Sequence, residues 1–207
     1  MLFDALAVSK SHIHLKELRV LRHSGVEWLS FPAITSTKLA LLFPLSQLTT
    51  LEITIDNSVI LNDEDLRSTV TAWPNLHTFR IVDRRVPLVT LKGLLRFASR
   101  LPLEEITLGV DCTKLLTFAE TGSIIPCPTL RHLNLCRSPV LENINHIVAP
   151  FTLAFPSLSQ LSTTWELGDP GGEDLSAEDK SYCDRWRAVR KRLVPLLHEN
   201  RIFKRRD

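Results

Sequence analysis

WPNLHTFRI, residues 73–81, holds the pattern that decides the fold. An aromatic residue and a proline come first. An anchoring leucine follows at 76, and further apolar residues stand at 79 and 81. Proline cannot continue a helix and pushes the residue before it toward an extended backbone. The alternation of Phe79, Arg80 and Ile81 puts the two apolar side chains on one side of a strand and the arginine on the other. The stretch therefore reads as the stop of a helix followed by a short strand.

The same arrangement recurs along the chain. Apolar residues stand at Leu15/Leu18/Val20, Leu48/Leu51/Ile53, Leu76/Phe79/Ile81, Leu103/Ile106/Leu108, Leu130/Leu133/Leu135 and Leu158/Leu161, with Thr163 in the last place. The second anchors, at 18, 51, 79, 106, 133 and 161, are 33, 28, 27, 27 and 28 residues apart. Phe43-Pro44, Trp73-Pro74, Leu101-Pro102, Cys127-Pro128 and Phe155-Pro156 recur in phase with them. A period of about 20–29 residues with L-x-x-L-x-L is the leucine-rich-repeat signature. The fold expected is an α/β, leucine-rich-repeat-like solenoid of about six strand–helix units. Parallel strands line its concave side, helices its convex side, and a C-terminal helix closes it. No unit can bury its apolar face alone, but stacked units can. An ordinary open α/β sheet is the alternative, and it predicts uneven spacing.

Helices fill the gaps between strands. Asp63, Glu64 and Asp65 supply a cap and favourable charge at the start of one, with Leu66, Val70 and Trp73 inward. Thr90 caps the next, which turns Leu91, Leu94, Leu95 and Ala98 to one side. Another runs from Glu142 to about Ala154, where Pro150 predicts a kink or a restart. A shorter one is expected within Lys114–Glu120, and the end of another over Lys38–Phe43. The asparagine usual in such repeats is replaced by His23, Asp56, Arg84, Asp111, Ser138 and Glu166, so the curve should be irregular. The long first gap places an insertion around Gly25–Thr37.

The chain divides into a repeat body, 1–167, an acidic flexible loop, 168–179, and a basic amphipathic capping helix and tail, 180–207. Residues 1–179 hold 15 Lys+Arg against 20 Asp+Glu, and residues 180–207 hold 10 against 3. A helix is expected over about Ala177–His198, in which Tyr182, Trp186, Val189, Leu193 and Leu196 share one face at helical spacing. Arg185, Arg187, Arg190, Lys191 and Arg192 lie opposite, and Pro195 should bend the helix or end its regular part. A cap over the open end explains this stripe better than membrane or nucleic-acid contact, because the body is acidic and no nucleic-acid motif is present.

The opening MLFDALAVSK lacks a basic leader, and Cys112, Cys127, Cys136 and Cys183 form no CxxC pair. Free thiols in an intracellular setting, cytoplasmic or nuclear, are expected. Cys127, Cys136 and His132 fit no zinc template. The uncharged run Asn143–Trp165 is long enough to span a bilayer. Its asparagines and prolines make it read as a helix followed by a strand. No phosphate-loop, zincin or nucleophile-elbow motif occurs, so neither a catalytic residue nor a cofactor or metal ligand is assigned. His12 and His14 read as a polar segment, and Glu104 and Glu105 as solvent-facing.

Four phrases then carry a resemblance: LNDEDLRSTVTAWPNLHTFRIVD (61–83), VTLKGLLRFASRLPLEEITLGVD (89–111), IVAPFTLAFPSLSQLSTTW (147–165) and WRAVRKRLVPLL (186–197). In this order they resemble the leucine-rich-repeat region of fungal F-box-like proteins, especially those of mushroom-forming fungi, over roughly residues 40–200. The resemblance implies a substrate-recognition module of a cullin-type ubiquitin ligase, a protein–protein interaction part and not an enzyme. No F-box is visible ahead of Leu15. A Skp-type adaptor is therefore a partner only if an F-box lies upstream, and adaptor binding is carried to no residue here. Within the expected solenoid, protein-binding residues come from strand positions between anchors: Arg19, Glu52, Thr54, Arg80, Thr107, Asn134 and Ser162. An enzyme of an open α/β class with unrecognised residues, or a repeat-only structural fragment, are the competing readings.

Overall fold

The computed structural model describes residues 14–21, 33–54, 59–82, 87–163 and 176–203. Six strands are formed: β1 (Glu17–Leu21), β2 (Thr50–Thr54), β3 (Thr78–Val82), β4 (Glu105–Thr107), β5 (His132–Asn134) and β6 (Gln160–Ser162). Between them and after them lie α1 (Ser36–Ala40), α2 (Asp63–Ala72), α3 (Leu91–Ala98), α4 (Phe118–Gly122), α5 (Asn145–Ala154) and α6 (Ala177–Phe203). The strands make one open, all-parallel sheet in the order β1-β2-β3-β4-β5-β6. This α/β arrangement is compatible with a strand–helix repeat.

The register follows the leucine spacing. Leu18 pairs with Leu51, Leu51 with Phe79, Phe79 with Ile106, Ile106 with Leu133 and Leu133 with Leu161. Leu51, Phe79, Ile106 and Leu133 belong to a single apolar cluster with Leu66, Leu94, Phe97, Ile147 and Phe151 from the helices. Helices therefore cover the anchor side of the sheet. The other side keeps half-exposed polar residues in β2 and β3, unlike the sheets of doubly wound folds, which are buried on both faces.

Backbone bonds lock the units together ahead of each strand. The carbonyl of Lys16 accepts from Thr49 and Thr50, and that of Thr49 from His77 and Thr78. His77, Glu104 and Arg131 repeat the arrangement with the next unit. On the far side of each strand, isolated parallel bridges join Ile34 to Val59, Asn62 to Leu88, Thr90 to Asp111 and Cys112 to Val140. The residues before the recurrent prolines are inward: Trp73, Leu101, Cys127 and Phe155 are buried, and Phe43 packs partly against the core. Trp73 and Phe155 end α2 and α5 with ψ of 70° and 63°, outside the helical region that a following proline disfavours.

Several boundaries differ from the sequence expectation. The cap of α2 is Asn62, not Asp63; its side chain accepts from Glu64 and Asp65 N–H while Asp65 accepts from Asn62 N–H. The helix expected from Glu142 starts at Asn145, and Pro150 lies inside it in the first turns past the start. The one expected over Lys114–Glu120 is displaced to Phe118, because Thr117 and Glu120 form a capping box there. α1 ends at Ala40, before Phe43, in a series of turns. The stretch Asn143–Trp165 does form a helix followed by a strand as far as it is described, and among the described residues no helix is long and apolar enough to cross a membrane. His12, His23, Asp56, Arg84 and Glu166, with most of the expected Gly25–Thr37 insertion and the acidic stretch 168–175, lie outside the described residues.

At the C-terminal helix Ser176 and Asp179 cap α6 reciprocally, so it starts at Ala177 as expected and takes in the last three residues of the 168–179 stretch. Pro195 does not end the helix, which continues to Phe203. Its buried stripe is Cys183, Trp186, Val189, Leu193 and Leu197, with Tyr182 partly covered, and these join the core. Leu196, expected inward, is exposed, and Leu197, four residues after Leu193, takes its place. Arg185, expected outward, reaches back and donates to the Val140 carbonyl at 2.8 Å. Thr163 occupies the last leucine position and is buried; its hydroxyl has no hydrogen-bond partner among the described residues.

Asp63 joins α2 to α3. Its carboxylate accepts from Thr90 N–H at 2.7 Å and from the Thr90 hydroxyl at 2.6 Å, and Thr90 in turn caps Gly93 N–H. A Cβ at residue 93 would overlap that carboxylate, so only glycine permits the approach. Gly93→Ala gains up to about 1 kcal/mol of helix propensity. It must nonetheless destabilise the protein by a net of about 1–2 kcal/mol, because the short Asp63 side chain cannot withdraw without losing both bonds. Urea titrations of G93A, D63A and the double variant check this. The double variant should be more stable than the sum of the single losses by about 1 kcal/mol, and strict additivity would remove the steric explanation.

Candidate functional site

The open face of the sheet is built by strand parity. Two residues separate side chains on one face, so each strand turns its anchors inward and the residues between them outward. Six of the seven sequence candidates fall in one register row: Arg19, Glu52, Arg80, Thr107, Asn134 and Ser162, each paired with the next across all six strands. Thr54 lies in a separate row, between Leu21 and Val82, both apolar.

A second row was not singled out from the sequence. Glu17, Thr50, Thr78, Glu105, His132 and Gln160 are in register two residues earlier in each strand. The signal was available, because the residue just before each second anchor has the same parity as the one just after it. Glu105, read only as solvent-facing, belongs to this row and is half-buried.

The two rows meet in an ion-pair chain. Arg80 lies between two carboxylates, 3.1 Å from Glu52 and 3.2 Å from Glu105. Arg19 is 3.2 Å from Glu17 and 4.0 Å from Glu52. Arg19, Glu52 and Arg80 are directly opposite one another on β1–β3, where opposite charges stabilise a sheet by about 0.2–1 kcal/mol each, and Glu105 extends the chain diagonally onto β4. Glu52 is the inner member, its side chain only 12% exposed against 41% for Arg80.

Beyond Glu105 the two rows carry Thr107, His132, Asn134, Gln160 and Ser162. Thr107 is buried, so it is not the open contact residue expected from the sequence; the row places it between Arg80 and Asn134. The Asn134 side-chain oxygen accepts from Cys136 N–H at 2.9 Å. This stabilises the turn at Cys136, whose φ of 47° is left-handed. Its carboxamide is thus committed in part to the backbone. The face therefore divides into a charged half over β1–β4 and a hydroxyl, imidazole and amide half over β4–β6.

Behind this face, Ser138 ties two successive strand–helix segments together. It is buried, donates to the Leu135 carbonyl and accepts from Val110 N–H at 2.8 Å, linking adjacent units. The four cysteines are free and buried. Burial, followed by the nearby Asp111 charge, pushes the Cys112 thiol far above its ordinary range, which disfavours the thiolate a nucleophile needs. Among the described residues no three His, Cys, Asp or Glu side chains gather to hold a metal ion.

No family model matches the chain, and comparison with curated proteins and with solved structures returns no match.

Proposed function

We propose that the chain is a leucine-rich-repeat-like solenoid that binds another protein through the open, concave face of its sheet. The observation that carries this reading is the two-row polar surface. Six parallel strands in unbroken sequence order present it, while one apolar cluster backs the opposite face. A sheet ordered this way has no topological switch point, the place where open α/β enzymes bind their substrates. A long surface of paired charges, hydroxyls and amides suits an extended polypeptide partner, with the charged half setting orientation and approach rate. The resemblance of residues 61–83, 89–111, 147–165 and 186–197 to F-box-like repeat regions extends the proposal to substrate recognition for a cullin-type ubiquitin ligase.

The test is capture with an open-face variant. Arg19 is exposed and pairs with Glu17 and, at 4.0 Å, with Glu52, and Ser162 is half-buried at the other end of the row. R19E/S162R should keep the fold, shown by an unchanged far-ultraviolet spectrum and a cooperative melt whose midpoint falls only by the few degrees that loss of exposed ion pairs costs. It should reduce recovery of specific partners by about tenfold or more relative to the native chain, as loss of interface contacts does. Identical partner sets from the two proteins would refute the open-face assignment. A reading frame that supplies an upstream F-box should add a Skp-type adaptor to the recovered proteins; its failure to do so would remove the ligase part alone.

A further inference from the structure

The helix side carries a second surface that the open face does not use. Elements α2, α3 and α4 border a groove of about 670 Å³. Apolar side chains line it, among them Leu66, Val70, Leu95, Phe97 and Ile124. Ile125 also lines it and is 57% exposed, while Leu115 and Phe118 of the same short segment are 64% and 96% exposed. Large apolar side chains left this bare in one place mark an interaction site more often than chance surface.

The charges in the groove are unequal in their commitments. Asp63 is held by Thr90, Glu64 by Arg67, and Glu120 by Lys92 and the Thr117 backbone. Glu120 stays ionised, its carboxyl held down to about 2 chiefly by the Lys92 hydrogen bond and then by Thr117. Lys92 thus remains paired. Arg96 and Arg100 are exposed groove residues with no ion-pair partner among the described residues. Arg96 is in the last turn of α3 and Arg100 lies just past its end, where the negative end of the helix dipole favours cations, and both line the groove.

We infer that this groove docks an acidic peptide segment of a partner protein, one that carries apolar anchors. Its carboxylates pair with Arg96 and Arg100, a match that arginine makes bidentately. Its apolar side chains enter the groove beside Ile124 and Ile125 and cover Phe118. A basic segment would meet both arginines as like charges, and a purely acidic one would leave the apolar lining wet.

The experiment uses the full chain and fluorescein-labelled pools of short peptides, read by anisotropy. One pool mixes Asp and Glu with Leu and Phe, a second mixes Lys and Arg with Leu and Phe, and a third mixes Asp and Glu with Ser. The first should bind saturably, and the other two at least about tenfold more weakly. R96E/R100E and the milder R96Q/R100Q should each weaken the first pool, the former by about tenfold or more. F118S should weaken it without changing its salt dependence. The α6 variant K191E/R192E and the open-face variant R19E/S162R should leave it unchanged, which separates this surface from the proposed open-face site. Equal binding of all three pools, retention of binding in R96E/R100E, or loss in K191E/R192E instead would overturn the inference.

Discussion

Trp73→Ala is expected to lower the unfolding free energy by about 3–5 kcal/mol, the range for removing a fully buried large aromatic side chain. The indole is 0% exposed and lies at the point where α2 ends and the chain turns through Pro74 toward β3. Its ring meets Phe43 edge-on, with centroids 5.5 Å apart and planes at 79°, a geometry worth about 0.5–1.5 kcal/mol beyond area burial. Its Nε1–H donates to the buried Leu42 carbonyl at 3.3 Å. Truncation therefore opens a cavity between two successive units and leaves a carbonyl that no replacement methyl can satisfy. Trp73→Phe keeps much of the volume and the edge contact but loses the donor, so its cost should be smaller, about 1–3 kcal/mol. Urea unfolding gives both values. Equal losses for the two variants would assign the effect to the hydrogen bond alone, and a loss below about 1 kcal/mol for W73A would contradict its burial.

The residues that could be read from the sequence are those whose role is set by backbone period. Leu51, Phe79, Ile106 and Leu133 are neighbours because equal spacing puts them in register, and the prolines after Trp73 and Phe155 mark the ends of α2 and α5. Six open-face candidates fall in one row for the same reason, since strand parity is fixed once the anchors are known. What escaped depends on contacts between units. Thr107 is buried although its strand parity is that of the open face, a fact local pattern does not contain. Asn134 spends its oxygen on a left-handed Cys136, and Asp63 reaches a threonine 27 residues away. The inward face of α6 depends on where the helix docks. Cys183 and Leu197 belong to it and Leu196 does not, although either leucine continues the stripe from Leu193.

Trp186→Ala should cost a similar about 3–5 kcal/mol, but its structural consequence should be local where that of W73A is central. The Trp186 ring is buried, and its Nε1–H donates to the Ser138 carbonyl at 2.8 Å. Ser138 itself bridges Leu135 to Val110, so the indole fastens α6 to the turn that holds two units together. Arg185 adds a bond to the Val140 carbonyl and lies 3.4 Å from Glu142. α6 packs against α5 and is the last element of the core. In a stack where each unit contacts only its neighbours, losing the end element destabilises the adjacent unit first. Hydrogen exchange should then rise in α5, β5 and β6 of W186A at denaturant concentrations that leave β2 and β3 protected, whereas W73A should expose β2 and β3 early. Uniform acceleration throughout W186A would mean that the protein unfolds as one cooperative block, and α6 would then be part of its centre and not a cap at its end.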